Sequence, residues 1–219
     1  MNEQRKIIAV TGPSAAGKTT IGHYLSHHFN HEFEHIRLDD YLKDPKTFPI
    51  NESGHKDWDH PNNFYFDELQ KHLSQLKSGQ TADWHTFAKD EKEKIYYYTL
   101  NPKKYIFVEG TMILMNEDLN RMYDLKIYLD VPIEVSLARR AERGKRDWGI
   151  DLIEYDKEVM VPVLEKHRRV QKFNTDYIVD GTKEPKTVAE EVRKLIYNVL
   201  QKNNSQPSSY LNEWEQTGI

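Results

Sequence analysis

Residues 12–19 read Gly-Pro-Ser-Ala-Ala-Gly-Lys-Thr, and this octapeptide constrains the chain more than any other feature. Gly12 and Gly17 bracket four residues, and Lys18 and Thr19 follow, so the segment fits the pattern G-x-x-x-x-G-K-[ST]. The pattern has a physical reason. Glycine tolerates backbone conformations in which successive N–H groups turn toward one concavity, and a helix starting at the loop's end adds its positive dipole end. Such a loop holds phosphate groups. Gly12, Ser14, Ala15, Ala16, Gly17 and Thr20 would line it, Lys18 would bridge the β- and γ-phosphates, and the Thr19 hydroxyl would hold Mg²⁺. The flanks agree with this reading: Ile7 to Val10 is a short apolar run suited to a buried strand, and residues 17–29 predict a helix.

Further along, short apolar runs alternate with longer helical patterns. Phe33–Leu38, Tyr105–Val108, Leu125–Leu129 and Tyr177–Val179 predict strands. Asn63–Leu76 predicts a helix, and Pro132 opens another at a position where its missing N–H costs nothing. Asp151–Lys172 predicts a long helix kinked at Pro162, and Val188, Val192, Leu195, Ile196 and Val199 form an amphipathic stripe. Residues 45–61 read as a loop. Strand–helix alternation implies an α/β fold with a mainly parallel sheet. With 219 residues, the expected organisation is one domain over residues 1–200 and a polar tail over 201–219.

Composition excludes several classes. The absence of cysteine excludes disulfides and thiolate zinc sites, and fits a reducing, cytoplasmic setting. The polar first residues and short apolar runs give neither a signal peptide nor a membrane span. A net charge of -4 speaks against nucleic acid as a partner. A small molecule is the expected partner, and a homo-oligomer stays open.

A phosphate loop alone does not separate a GTPase switch, an ATPase motor and a kinase. There are no D-x-x-G and N-K-x-D segments, and the strand Tyr105-Ile-Phe-Val-Glu109 ends in a single carboxylate rather than adjacent acids. The remaining landmarks are Leu38-Asp39-Asp40-Tyr41-Leu-Lys43, Asp57-Trp58-Asp59-His60-Pro61, Phe107-Val-Glu109-Gly110 and Arg139-Arg140-x-x-Arg143. Together with the octapeptide, in this order and from about Ile7 to Leu200, they resemble the family of uridine kinase, nicotinamide riboside kinase, phosphoribulokinase and pantothenate kinase. The resemblance implies a P-loop NTPase three-layer fold, with helices on both faces of the sheet and a small basic lid at about residues 143–150.

It also implies roles. Asp39 would act as the general base on the substrate hydroxyl and reach the metal's water shell. Glu109 would help Thr19 hold Mg²⁺. Asp59 would accept hydrogen bonds from ribose hydroxyls, and Trp58 would stack on a base. Arg143 would sit near the substrate and the transferred phosphate, and Arg146 would join the lid over the nucleotide. Among the basic residues from Arg139 to Arg146, taken to follow a helix, a solvated helix face suits Arg139 and Arg140 better than Arg143 and Arg146. Uridine kinases read the pyrimidine with a Y-D-F-x-x-H-x-R-like segment. Here the nearest stretch is Asp83-Trp84-His85-Thr86-Phe87, in which Trp84 is the candidate acceptor contact.

His23, His27, His31 and His35 recur every four residues but lack a metal-binding frame, and read as a polar face. The expected activity is transfer of the γ-phosphate of ATP to a small hydroxyl compound, most simply a nucleoside 5′-OH, with ATP and Mg²⁺ as cofactors. Nicotinamide riboside or pantothenate are alternative acceptors, and a non-catalytic ATP-binding regulator is the alternative of another class.

Overall fold

The octapeptide leaves the sheet at its middle. The computed structural model describes residues 4–50, 54–58, 60–87 and 95–200. In chain order the strands are β1 (Lys6–Thr11), β2 (Phe33–Arg37), β3 (Ala82–Phe87), β4 (Ile95–Leu100), β5 (Tyr105–Glu109), β6 (Leu125–Asp130) and β7 (Tyr177–Asp180). The helices are α1 (Lys18–Phe29), α2 (Phe66–Ser78), α3 (Glu117–Met122), α4 (Ile133–Trp148), α5 (Ile153–Tyr155), α6 (Val161–Phe173) and α7 (Pro185–Leu200).

Five strands form one parallel sheet in the order β2-β5-β1-β6-β7, so β1 is bonded on both sides, to β5 and β6. Alternation along β1 sends its side chains into two different cores. Ile7 and Ala9 join Ile36, Ile106 and Val108 under α2 and α3, while Ile8 and Val10 join Phe107, Leu125, Ile127 and Leu129 under α1 and α7. A strand covered on both faces needs an unbroken apolar run, which is what residues 7–10 supply. The mainly parallel sheet between two helical layers is the architecture that the strand–helix alternation predicts.

The helices follow their apolar spacing. On α2, Leu69, Leu73 and Leu76 are fully buried, and the helix ends at Gly79 in the left-handed conformation, φ 93°. It begins at Phe66 rather than Asn63, because residues 61–63 form a separate 3₁₀ turn whose Asn62 N–H is capped by His60 Nδ1 at 3.1 Å. On α7, Val188, Val192 and Ile196 face the sheet.

Two expectations change. The helix predicted from Asp151 to Lys172 is in three parts: α5, a π turn at Asp156–Met160, and α6. Pro162 sits in the first turn of α6, where its missing N–H breaks no bond, so the irregularity lies just upstream of the proline. Secondly, the basic cluster does not follow a helix. Arg139, Arg140, Arg143, Lys145 and Arg146 all lie within α4, which ends at Gly149 with φ 67° and an Ile150 N–H to Gly144 C=O bond of 3.1 Å.

Strands β3 and β4 form a separate antiparallel hairpin. Residues 88–94 between them, Asp59 and residues 201–219 lie outside the described residues. Among the described residues no helix is long and apolar enough to cross a membrane.

His72 on α2 is buried beneath the turn that follows β2, with its Nδ1 2.8 Å from Tyr41 Oη. Burial lowers the His72 pKa from its ordinary value, while the charge of Glu68 opposes this. Burial also raises the Tyr41 pKa, so the phenol remains the donor to a neutral ring. The unfolded chain therefore takes up this proton first, at about pH 6.5. The contribution is present above that pH and is lost as pH falls through the folded-state value. Melting temperature is expected to fall between about pH 7 and pH 5, and less so in His72→Gln. An unchanged pH slope in that variant would remove His72 as a cause.

Candidate active site

Gly12 begins the loop where β1 passes closest to β6. A side chain there would bring Cβ to 2.6 Å from the Leu129 carbonyl oxygen, and the backbone has φ 151°. Ala15 at φ 59° and Gly17 at φ 93° complete the curl into α1. Nothing lies within 4 Å of where a Gly17 Cβ would be, so the concavity is open on that side. Lys18, the first residue of α1, is buried and donates to the carbonyls of Gly12 (3.1 Å) and Pro13 (2.9 Å). Its ammonium thus rests on the loop it follows.

Thr19 lies half-buried behind the lysine, and its hydroxyl donates to Glu109 Oε1 at 2.6 Å. Glu109 ends β5, beside Val10 of β1 and Arg37 of β2, and is buried. A buried carboxylate joined to a hydroxyl beside an open phosphate-type loop is a donor pair suited to Mg²⁺, which takes one or two protein oxygens and completes its shell with water and phosphate. Behind them stands His35 of β2, its Nε2 3.7 Å from Glu109 Oε1, beyond hydrogen-bond reach. That atom is buried with no hydrogen-bond partner. The His35 ring occupies space that only a glycine at position 22 leaves open. Of the four evenly spaced histidines, His23, His27 and His31 are exposed as a polar face should be, and His35 alone is drawn into the sheet.

The acid pair lies in a 3₁₀ turn, Leu38–Tyr41, directly after β2. Asp40 is held by Arg37, through Nε at 3.0 Å and Nη2 at 2.5 Å. Asp39 is the exposed member, and its charge is felt at both Arg37 and Arg143. Trp84 of β3 supports this turn from below. Its indole N–H donates to the Asp40 carbonyl at 2.8 Å, and its ring stacks on Tyr41 at 4.6 Å. Trp84 is thus placed under the acid turn, an aromatic support that composition could not distinguish from an acceptor contact.

Above the loop runs α4. Ser136 donates to the Ser14 carbonyl at 2.6 Å, and Arg139 reaches the Gly181 carbonyl at 3.1 Å and that of Ala15 at 3.4 Å. Arg140 and Arg143 both donate to Ser14 Oγ, at 2.7 and 3.2 Å. The spacing 136-139/140-143 is one helix face, turned onto the loop. The solvated-face reading therefore fails for Arg139 and Arg140 and fits Arg146, which is exposed and paired with its neighbour Asp147. Thr20 is likewise exposed. Burial lowers the pKa of Arg143, as does the nearby charge of Arg140, with Asp39 opposing. Arg143 Nε is buried without a hydrogen-bond partner, and the guanidinium lies 5.5 Å from the centre of the Trp148 ring. A desolvated cation with an unused donor beside a phosphate-type loop fits an anionic ligand. The predicted lid, 143–150, is the last turn of α4 and its cap.

Trp58 stands apart from this cluster, on the loop before α2. Its ring meets Phe48 edge-on at 5.1 Å, and its backbone N–H donates to Tyr155 Oη at 3.3 Å. Tyr155 Oη in turn donates to the Lys56 carbonyl at 3.1 Å. Neither Tyr155 nor the buried Asp156 after it carries a motif in the sequence. The only signal that could have pointed to them was the helical register upstream of Pro162.

The similarities to known proteins agree with this geometry. Residues 7–188 match the model of the phosphoribulokinase/uridine kinase family. The uridine kinase of Chlamydia pneumoniae is 30% identical over 200 residues, covering 89% of this chain and 90% of the relative. Among solved structures, a possible uridine kinase from Bacillus stearothermophilus superposes with a TM-score of 0.56 at 18% identity, over 82% of this chain and 91% of that one. Shikimate kinase from Acinetobacter baumannii, in complex with shikimate, gives 0.54 at 16% identity over 93% and 97%. The last two share the fold. With the loop, the acid turn and the arginine-bearing helix all inside the matched span, the chain belongs to the phosphoribulokinase/uridine kinase family of kinases.

Proposed function

We propose that the protein transfers the γ-phosphate of ATP to a hydroxyl of a small metabolite, most simply the 5′-OH of a nucleoside. The observation that carries this reading is the arginine over the loop: Arg143 donates to Ser14 Oγ and keeps a buried Nε without a hydrogen-bond partner, while Asp39 lies exposed in the turn directly after β2. A cation able to meet developing phosphate charge and an acid able to take a proton are the two groups that the transfer needs.

In this mechanism the loop N–H groups and Lys18 bind the phosphates, with Lys18 leaving the Gly12 and Pro13 carbonyls to do so. Thr19 and Glu109 would hold Mg²⁺, which would neutralise phosphate charge when bound. Asp39 orients the acceptor hydroxyl and takes its proton as the new O–P bond forms, while the bond from the γ-phosphorus to the β–γ bridging oxygen breaks and ADP leaves. Arg143 stays over the transferred group and faces the charge that accumulates on it. Trp58 offers an aromatic surface at the loop before α2, which suits a planar base, and relatives named uridine kinase favour a nucleoside over a small acid. Asp59, next to Trp58 in the sequence, would hold vicinal ribose hydroxyls.

Two outcomes test this. A screen of uridine, cytidine, nicotinamide riboside and pantothenate for stimulated ATP consumption is expected to single out a nucleoside, and silence with every acceptor would defeat the reading. Asp39→Asn is expected to lower kcat by about 100-fold or more, the lower range for a positioned acid–base group, with ATP affinity held within about twofold by the untouched loop. Wild-type turnover in that variant would remove Asp39 as the base.

A further inference from the structure

Two arginines converge on Ser14, and their surroundings differ. Arg140 is bound by Asp156: its Nε lies 2.9 Å from both carboxylate oxygens, and Nη2 lies 2.8 Å from Oδ1. Asp156 is 1% exposed. It stands at the head of the π turn, so the widened turn delivers this carboxylate inward while Tyr155, its neighbour, reaches the loop at Lys56 and Trp58. Among the described residues no such carboxylate is bonded to Arg143, and its Nε is left without a partner.

We propose that Asp156 is a positioning residue for phosphoryl transfer, acting through Arg140. By neutralising Arg140 and fixing its plane, Asp156 makes that guanidinium a strut between α4 and Ser14 rather than a phosphate ligand. The strut holds the lid helix at a set height over the phosphate loop. It also keeps Ser14 Oγ as an acceptor within reach of Arg143. A buried arginine–carboxylate fork is directional, so it fixes orientation as well as distance. A second consequence concerns charge. With Arg140 paired to Asp156, the two cations that meet at Ser14, Arg140 and Arg143, do not repel each other at full strength.

The proposal rests on the reading of the loop as an ATP site, and the test separates the two. Binding of MgATP to the full-length protein is measured by titration calorimetry, with kinetics against the acceptor found by the screen. Wild-type protein that fails to bind MgATP overturns the ATP reading, and this proposal with it. Given wild-type binding, Asp156→Asn is expected to raise the MgATP Kd and KM about tenfold and to leave the acceptor KM within about twofold. A merely structural defect would instead reduce the active fraction, lowering kcat with both KM values unchanged. The paired replacement Arg140→Met with Asp156→Leu removes both charges and keeps the volume filled, so folding does not depend on an unpaired buried ion. It is expected to melt at or above the wild-type temperature and still bind MgATP about tenfold more weakly. A folded double variant with wild-type MgATP affinity would overturn the positioning role.

Discussion

Strand β1 is bonded along both edges and covered on both faces, and the rest of the site depends on that. Its register aligns Val10 with Glu109 of β5, and Thr11 with Tyr128 of β6. The chain can leave such a strand only at its end. Gly12 lies so close to the Leu129 carbonyl that no side chain fits. The loop is therefore built at the middle of the sheet, where the carboxyl ends of neighbouring strands deliver other groups to it. The Thr19–Glu109 hydrogen bond is a direct result, joining the first turn of α1 to the end of the adjacent strand.

Around this fixed point the other groups arrive on elements of different character. Asp39 and Asp40 come on a short turn after β2, and that turn is braced by Trp84, which bonds the Asp40 carbonyl and stacks on Tyr41, and by His72, bonded to Tyr41 Oη. The arginines arrive on one face of a long helix anchored through Ser136, which is fully buried. The loop bearing Trp58 is tied through Tyr155 to the same turn that presents Asp156. The loop bearing Trp58 and the arginine-bearing helix therefore share a support in residues 155–156, although they lie far apart in the sequence.

Much of this was legible from the residues. The strand–loop–helix unit is local, and its glycines and lysine have few other uses in that order. The apolar runs of β1 and β5 and the stripe of α7 follow from period alone, because burial on one or two faces leaves a repeating mark. Trp84 was visible as an aromatic near a specificity segment, yet its hydrogen bond to Asp40 joins residues 44 positions apart and leaves no local trace. The expectation that a solvated face suits Arg139 and Arg140 better than Arg143 and Arg146 did not hold for a similar reason. Charge density shows that a helix face is basic, and only packing shows which arginines turn inward.

The sequence by itself determined a phosphate-binding loop, the acids at positions 39 and 109, and an alternating α/β chain, since each depends on residue type within a short span. The tertiary structure decided which charges are paired. Asp40 is taken by Arg37 and Arg140 by Asp156, while Arg143 keeps an unpartnered donor. Pairing depends on burial and direction between distant segments, and those exist only once the sheet has brought the segments together.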